Sequence, residues 1–593
     1  MLKSIDFSNI LGQTKTTLLP ELEYFKLEEG NAYANQQVEI LQNRGKQYLN
    51  TPIPALSYAD FMHYFQTGSR SRYDQYYFER RGRLLVFSLL AWLEPDDAQW
   101  LDSLCDTIWQ ICSEPFWCVP AHFYDAQRKP LPLELYADHL DLFSCETAFA
   151  LAEVRSLLGE RLSSIIAEQI RIQIKRRIFT PWLNSERKFF FEKYPNNWPS
   201  VCASGIGGAA LYLLDDGEEL RSILTRCMSC FDTYLSSFGS DGICLEGAGY
   251  FSYGFGMFTC FAQLLEARTD GALDLFHYSD KVGKIAGTQE WFYLSGKHVI
   301  NFADSRDFVK CRMGISQYLN KKTSAQVPPV AEDILDDECY RYCIALRDII
   351  WTGHAALPLN VDKTAWFEDA QWFMSRKDAL ALAAKGGQNG QGHGHNDCGS
   401  FIIFADGDAC LCDLGAGQYN ADYFSPKRYQ FLTTSSRGHN VPVVNGCLQV
   451  HGSECLAKEI QVDISSPIRV FRAEISACYP EAAEIISLHR EISHNTRNQT
   501  ITLQDTASFH NAGELVENFC AREEIMLYDG YALFSRNGSS IKLCFDRELY
   551  SAEVLKEEYY NIDDQLCTAW FLQLKTKTKQ PVQRCEFIFE IDS

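Results

Sequence analysis

Gln391-Gly392-His393-Gly394-His395-Asn396-Asp397, followed by Phe401-Ile402-Ile403-Phe404-Ala405, Asp406-Gly407 and Asp413, is the stretch on which the fold and chemistry of this chain turn. The apolar run, the Asp-Gly pair and the segment from Asp408 to Asp413 spell a β-hairpin. If His393 and His395 lie on a strand, they are alternate residues and face one side of the sheet. The hairpin returns Asp413 towards them, and His439, within Gly438-His439-Asn440, can enter from the next strand. His395, Asp413 and His439 then form a His/Asp/His set suited to zinc or manganese, with His393 left free beside it.

Upstream, from about residue 80 to 355, the pattern is helical. Trp100, Leu101, Leu104, Ile108, Ile111 and Cys112 fall along one stripe. Leu140 to Leu158 repeats it and stops at Gly159. Arg161 to Ile178, closed by Pro181, and Glu218 to Phe238 predict further helices. Helix after helix fits a bundle, a solenoid or a toroid, and no clean sequence repeat separates these. Downstream, Ile501 to Leu503, Ile541 to Phe545 and Cys585 to Ile591 read as strands, with a turn at Asn537-Gly538. Runs of helices followed by runs of strands predict two domains, with the boundary near Pro358.

The 593 residues suffice for two large cores, and the net charge of −22 argues against a general affinity for nucleic acid. Met1 to Pro20 shows no apolar signal region and no stretch is long enough to span a membrane, so a cytoplasmic address is expected. The 22 cysteines are then reduced, mostly buried thiols, and Cys227-Met228-Ser229-Cys230 is core packing. Gly205-Ile206-Gly207-Gly208 follows no strand and precedes no Lys-Ser/Thr, so it reads as close helix packing and not as a phosphate loop. No G-x-S-x-G elbow is present.

His393, His395 and Asp397, then Gly399-Ser400-Phe401, Asp413, Gly415, His439-Asn440 and Val441 to Gly446, resemble the heparinase II/III-like family of polysaccharide lyases. Phrases in the helical half add to the likeness. They are Trp117 to His122, Leu140 to Ala148, Asn196-Asn197-Trp198, Asp241-Gly242 and Glu246-Gly247-Ala248-Gly249-Tyr250-Phe251-Ser252-Tyr253. The resemblance implies an N-terminal incomplete (α/α) toroid over 1–357 and a C-terminal antiparallel β-sandwich over 358–593. It also implies β-elimination from uronic-acid glycosaminoglycans of heparan, hyaluronan or chondroitin type, with alginate as the nearest alternative. A metal-dependent glycan hydrolase and a non-catalytic sugar-binding protein are the competing classes; H-x-H also opens amidohydrolase barrels, but here it follows helices and precedes strands.

Elimination needs three functions: neutralising the uronate carboxylate, taking the C5 proton and protonating the leaving oxygen. By resemblance, Asn197 (or Asn196) serves the first. Tyr250 serves as base, acid or both, with Tyr253 in reserve, and His393 is its partner from the β side. His122 is a possible toroid-side histidine, although Trp198 stands where some relatives carry a histidine after the Asn. Trp198, Glu246, Tyr419, Tyr423 and Tyr429 are expected to touch the sugar. The metal at His395, Asp413 and His439 is expected to be structural. An acidic chain acting on a polyanion needs a locally basic cleft, for which Arg70, Arg72, Arg80, Arg81 and Arg83, or Lys175-Arg176-Arg177, are the candidates.

Overall fold

The computed structural model describes residues 2–592 apart from 9, 12–17, 28–30, 125–128, 133–134, 136–137, 185, 295–297, 329–330, 354–361 and 421. The chain is an N-terminal α/α toroid followed by antiparallel β-sheets. Helices begin earlier than expected, with Ala32–Leu49, Tyr58–Thr67 and Ser71–Leu93. The first of these is rich in Gln and Asn, and buries Gln37 among its apolar residues, which blurs the periodicity. The last long helix is Tyr342–Ile350 and the first strand is Lys363–Phe367. The boundary expected at Pro358 therefore falls outside the described residues.

Helix Asn197–Leu213 is buried along nearly its whole length because glycines let its neighbours close on it. A Cβ at Gly205 would sit 2.5 Å from the Cys145 carbonyl oxygen, and Cβ atoms at Gly207 and Gly208 would strike the rings of Phe261 and Phe149. The Gly205-to-Gly208 run is thus close helix packing, as its context implied. Cys227 and Cys230 are likewise buried in the core. The helix expected to close at Pro181 continues to Leu183. A π-helical turn over Lys175–Phe179 widens the backbone just before the proline, which then occupies the first turn of the next segment, where a missing N–H is tolerated. Among the described residues no helix is long and apolar enough to cross a membrane.

Three sheets follow. Lys363–Phe367, Trp372–Lys377, Leu380–Lys385, Phe401–Ala405 and Asp408–Leu411 pair in sequence order, the last two as the expected hairpin with Asp406 and Gly407 both at positive φ. An eight-stranded sheet is centred on Thr500–Gly513, flanked by Ile485–Asn495 and Gln580–Ile591. A four-stranded sheet runs Tyr550–Tyr560, Leu566–Thr576, Leu515–Ala521 and Val443–Val444. Ile501, Leu503 and Ala507 alternate into the core, where Phe589 and Phe587 lie opposite the first two. One buried position on that face is charged: Asp505 is opposite Arg490, whose guanidinium lies 2.6 Å from Asp505 and 3.0 Å from Glu517.

His494 lies buried in the same sheet, with Nδ1 2.7 Å from Ser375 Oγ of the first sheet. Burial, aided by the nearby Arg469, pushes its imidazole down to about 4. The folded state thus resists protonation that the unfolded chain accepts near pH 6.5. Stability from this residue is complete above about pH 6.5 and is lost as pH falls towards 4, by about 3 kcal/mol. Urea unfolding at pH 7 and pH 4.5 measures the loss, which His494→Gln is expected to reduce.

Candidate active site

The loop 301–305 of the helical half is gripped by both domains. Asn301 Nδ2 donates to the Asp413 carbonyl at 2.8 Å, and Ala416 N donates to the Ser305 carbonyl at 3.1 Å. Gly247 from the toroid and Gly415 from the β-domain, both at positive φ, close on Ser305: a Cβ at Gly247 would lie 2.7 Å from Ser305 Cβ, and one at Gly415 2.1 Å from its carbonyl oxygen. Only glycine fits either place.

This grip presents Asp304, buried and multiply bonded. Its Oδ2 accepts from His393 Nδ1 at 2.8 Å and its Oδ1 from His395 Nε2 at 2.9 Å. Tyr423 donates its hydroxyl at 2.6 Å, and Arg428 Nη2 contacts both oxygens at 2.8 Å. Burial alone would favour the neutral acid, but the hydrogen bonds from the two histidines hold Asp304 well below the usual carboxylate range. The expected strand at His393 and His395 is absent. The segment is a loop with His393 at φ 55°, and the two imidazoles converge because each binds one oxygen of the same carboxylate. His439 likewise leaves a single 3₁₀ turn, Ser436–Gly438, and not a strand.

An ionised Asp304 accepts, so in the neutral imidazole the His393 proton sits on Nδ1 and Nε2 is left as the acceptor. That nitrogen faces the Glu246 carboxylate at 3.7 Å, and the imidazole lies 4.8 Å from the Tyr250 ring. Burial opposes the charged imidazolium, but the Asp304 bond and the Glu246 charge together raise the His393 pKa. Tyr250 shares a 3.0 Å hydrogen bond with Tyr419. Burial and the Asp304 charge push its phenol up, so it rests protonated. Tyr250 ends a short helix, Ala248–Tyr250, that passes into a π-helical turn over Phe251–Phe255. Such turns recur at functional sites.

Asn196 caps helix Asn197–Leu213, its side chain accepting from Trp198 N at 3.1 Å. Asn197 is buried, its Oδ1 without a hydrogen-bond partner, and its backbone N–H supports the Glu246 carboxylate. The Glu246 Oε2 also lacks a hydrogen-bond partner, and burial raises its pKa. Two cavities flank this group. One of about 590 Å³ is lined by Tyr250, Tyr253, Asp304 and Arg341, and one of about 520 Å³ by Asn196, Glu246, His393, Phe424, Arg428 and Tyr429.

Of the other expected residues, His122 and Trp198 fall elsewhere, while Tyr253, Tyr423 and Tyr429 line one cavity or the other. His122 has both ring nitrogens engaged, Nδ1 with Asp141 at 2.9 Å and Nε2 with Arg70 at 3.2 Å, which leaves neither for a substrate proton. Trp198 packs edge-on to His122 and Phe190 and lines neither cavity. Tyr253 gives its hydroxyl to Glu146 beneath the Arg341 guanidinium, so it borders the larger cavity but stands apart from His393. Tyr423 is wholly buried and supports Asp304, while Tyr429 stacks on His451 at 4.2 Å. Nothing in the spacing of the chain marks Asp304, which lies 89 residues before His393. Arg428 and the half-exposed Phe424 escape notice for the same reason.

The residues expected to form a basic cleft line neither cavity. Arg80 and Arg81 are buried on Glu114, Arg83 on Glu79, Arg72 pairs with Asp60 and Arg70 with Asp74. Arg177 is buried against main-chain carbonyls, and the exposed Lys175 and Arg176 line neither cavity. These arginines brace helices.

Behind the cleft, His395, Asp413 and His439 are buried and each offers an atom within 4.8 Å of the others. His439 Nδ1 binds Asp413 at 2.7 Å, while His395 Nδ1 and His439 Nε2 have no hydrogen-bond partner. Two orphaned imidazole nitrogens beside a carboxylate suit a divalent cation.

Residues 361–514 match the family described as heparinase II/III-like, C-terminal. No curated protein sequence matches the chain. Solved structures do. A heparinase III superposes with a TM-score of 0.63 at 12% identity, covering 98% of this chain and 87% of its own. A heparan sulfate lyase mutant from Pedobacter heparinus gives 0.62 at 12% identity, covering 96% and 86%. A chondroitin AC lyase from Streptomyces coelicolor gives 0.53 at 10% identity, covering 96% and 80%.

Proposed function

We propose that this chain, which has the heparinase III fold and a heparinase II/III-like C-terminal domain, is a polysaccharide lyase that cleaves uronic-acid glycosaminoglycans by β-elimination. The observation that carries the reading is the meeting of His393 and Tyr250 at one cleft, their rings 4.8 Å apart, with His393 Nδ1 bound to Asp304 and Tyr250 a phenol. Heparan, hyaluronan and chondroitin types are the substrate candidates, with alginate as the alternative.

His393 Nε2 takes the C5 proton, Asp304 holding the imidazole in the required tautomer and stabilising it once protonated. The electron pair released from C5–H forms the C4=C5 double bond as the C4–O bond breaks. Tyr250 gives its phenolic proton to the departing oxygen, and Tyr419 holds the phenol in place. Asn196, which lines the smaller cavity at the start of its helix, supplies an amide donor and the positive helix end to the uronate carboxylate, with the buried Asn197 behind it. The proton on His393 returns through solvent to Tyr250 before the next turnover.

His395, Asp413 and His439 would hold one divalent ion, zinc or manganese. Its chemistry here is to cross-link the loops behind His393 and not to activate water, because the three residues are buried away from both cavities. Metal analysis of the purified protein is expected to find one equivalent, absent from His439→Ala. Saturating metal at about 1,000 times its Kd adds about 4 kcal/mol to the stability of the parent and not of the variant.

Ultraviolet absorbance tests the reaction. Heparan sulfate, hyaluronan, chondroitin sulfates and alginate, each as polymer and oligosaccharide, are mixed with metal-replete protein. A growing unsaturated-uronate band with any of them establishes elimination. Chain shortening without that band means hydrolysis, and silence across the panel sinks the proposal.

A further inference from the structure

We infer that the cleft selects chains whose only negative charge is the uronate carboxylate, so that the substrate is an unsulfated glycosaminoglycan. The inference rests on the lyase reading above and names its substrate class. Among the described residues, every Lys and Arg lining the two cavities is already matched to a protein carboxylate. In the larger cavity Lys310 lies 2.8 Å from Asp336, Arg312 2.6 Å from Asp348 and Arg341 2.7 Å from Asp337, while Arg306 pairs with Asp563. In the smaller, Arg428 lies 2.8 Å from Asp304.

The carboxylates, by contrast, exceed what these cations can balance. Glu338 is exposed at the wall of the larger cavity, beside the ion-paired Asp336, Asp337 and Glu332. Glu246 faces the smaller with Oε2 lacking any hydrogen-bond donor. A buried acceptor without a donor calls for a hydroxyl or amide N–H on the ligand, and a sulfate ester brings only acceptors and charge. Of the arginines expected from sequence to offset a polyanion, Arg80, Arg81 and Arg83 are spent inside the toroid. Seating a sulfated sugar would require breaking one of these ion pairs or placing like charges together. The half-exposed Phe424 at the mouth offers an apolar face suited to an uncharged sugar ring.

Chondroitin and its 4- and 6-sulfated forms share one backbone, as do unsulfated and sulfated heparan-type chains, and these pairs are the probes. Initial rates of unsaturated-uronate formation are expected to give kcat/KM at least about tenfold higher on the unsulfated member of a cleaved pair. KM on that member should change less than about twofold between about 50 and 300 mM NaCl, since among the described residues no unpaired Lys or Arg lines either cavity to be screened. Glu338→Lys, on an exposed residue, should narrow the ratio by raising the rate on sulfated chains. Equal or faster cleavage of the sulfated member overturns the inference and leaves the lyase reading standing. No elimination from either member of any pair, hyaluronan and alginate also inert, overturns both.

Discussion

His393→Ala is expected to lower kcat/KM for elimination by about 10²–10⁴-fold, the range for removing a positioned general base. Tyr250→Phe, which removes one oxygen, should cost a similar factor if that hydroxyl protonates the leaving oxygen. The two losses should not multiply, because both groups serve one transition state and either deletion disables it. Circular dichroism and metal content should be unchanged in Tyr250→Phe, since its hydroxyl bonds only Tyr419 among the described residues. Asp304→Asn separates orientation from chemistry. Its amide can still pair with one imidazole but cannot accept from both, and it leaves Arg428 without a counter-charge. Full activity in both His393→Ala and Tyr250→Phe would move the chemistry away from this pair.

Arg490→Met is expected to destabilise the protein by about 3–5 kcal/mol, the cost of stranding buried charge by removing one partner. The guanidinium is fully buried, bonds Asp505 and Glu517, and donates to the carbonyls of Gly399 at 3.0 Å and Asn440 at 2.8 Å. Methionine fills much of the volume but leaves two carboxylates and two carbonyls unmet. Gly399 follows the His393/His395 loop and Asn440 follows His439. The variant should therefore bind metal more weakly as well as unfold at lower denaturant. Unfolding in guanidinium with and without a chelator resolves the two contributions. The triple variant Arg490→Met, Asp505→Leu, Glu517→Leu should recover most of the stability, because it removes the stranded charges, but not the anchoring of the two loops.

Local chemistry was legible in the sequence and long-range convergence was not. The Asp406-Gly407 hairpin, the glycine-packed helix at Gly205 and the alternation at Ile501 and Leu503 are each written within a few residues. The His395, Asp413 and His439 set was legible because a hairpin carries one member back to another. Asp304 was not, since an acid in a loop bears no periodicity and its partners arrive from another domain. The same limit led to reading His393 on a strand. An H-x-H pair permits a strand but does not require one, and here a shared carboxylate aligns the imidazoles. His122 misled in the opposite sense: its neighbours Asp141 and Arg70, invisible as contacts in sequence, consume both of its nitrogens. Arg80 and Arg81 of helix Ser71–Leu93 misled similarly, because a charged residue reads as solvated until its buried partner Glu114 is placed beside it.

The closure of Gly247 and Gly415 onto Ser305 bears on how a polymer gets in. With toroid and sandwich both seated on one five-residue loop, little hinge motion between them is expected. Under the proposed lyase reading, a chain is then expected to slide in lengthwise past Phe424 with no hinge stroke to wait for. Stopped-flow binding traces should be single-phase and scale linearly with substrate concentration, and catalysis should slow with solvent viscosity only as far as that sliding limits it.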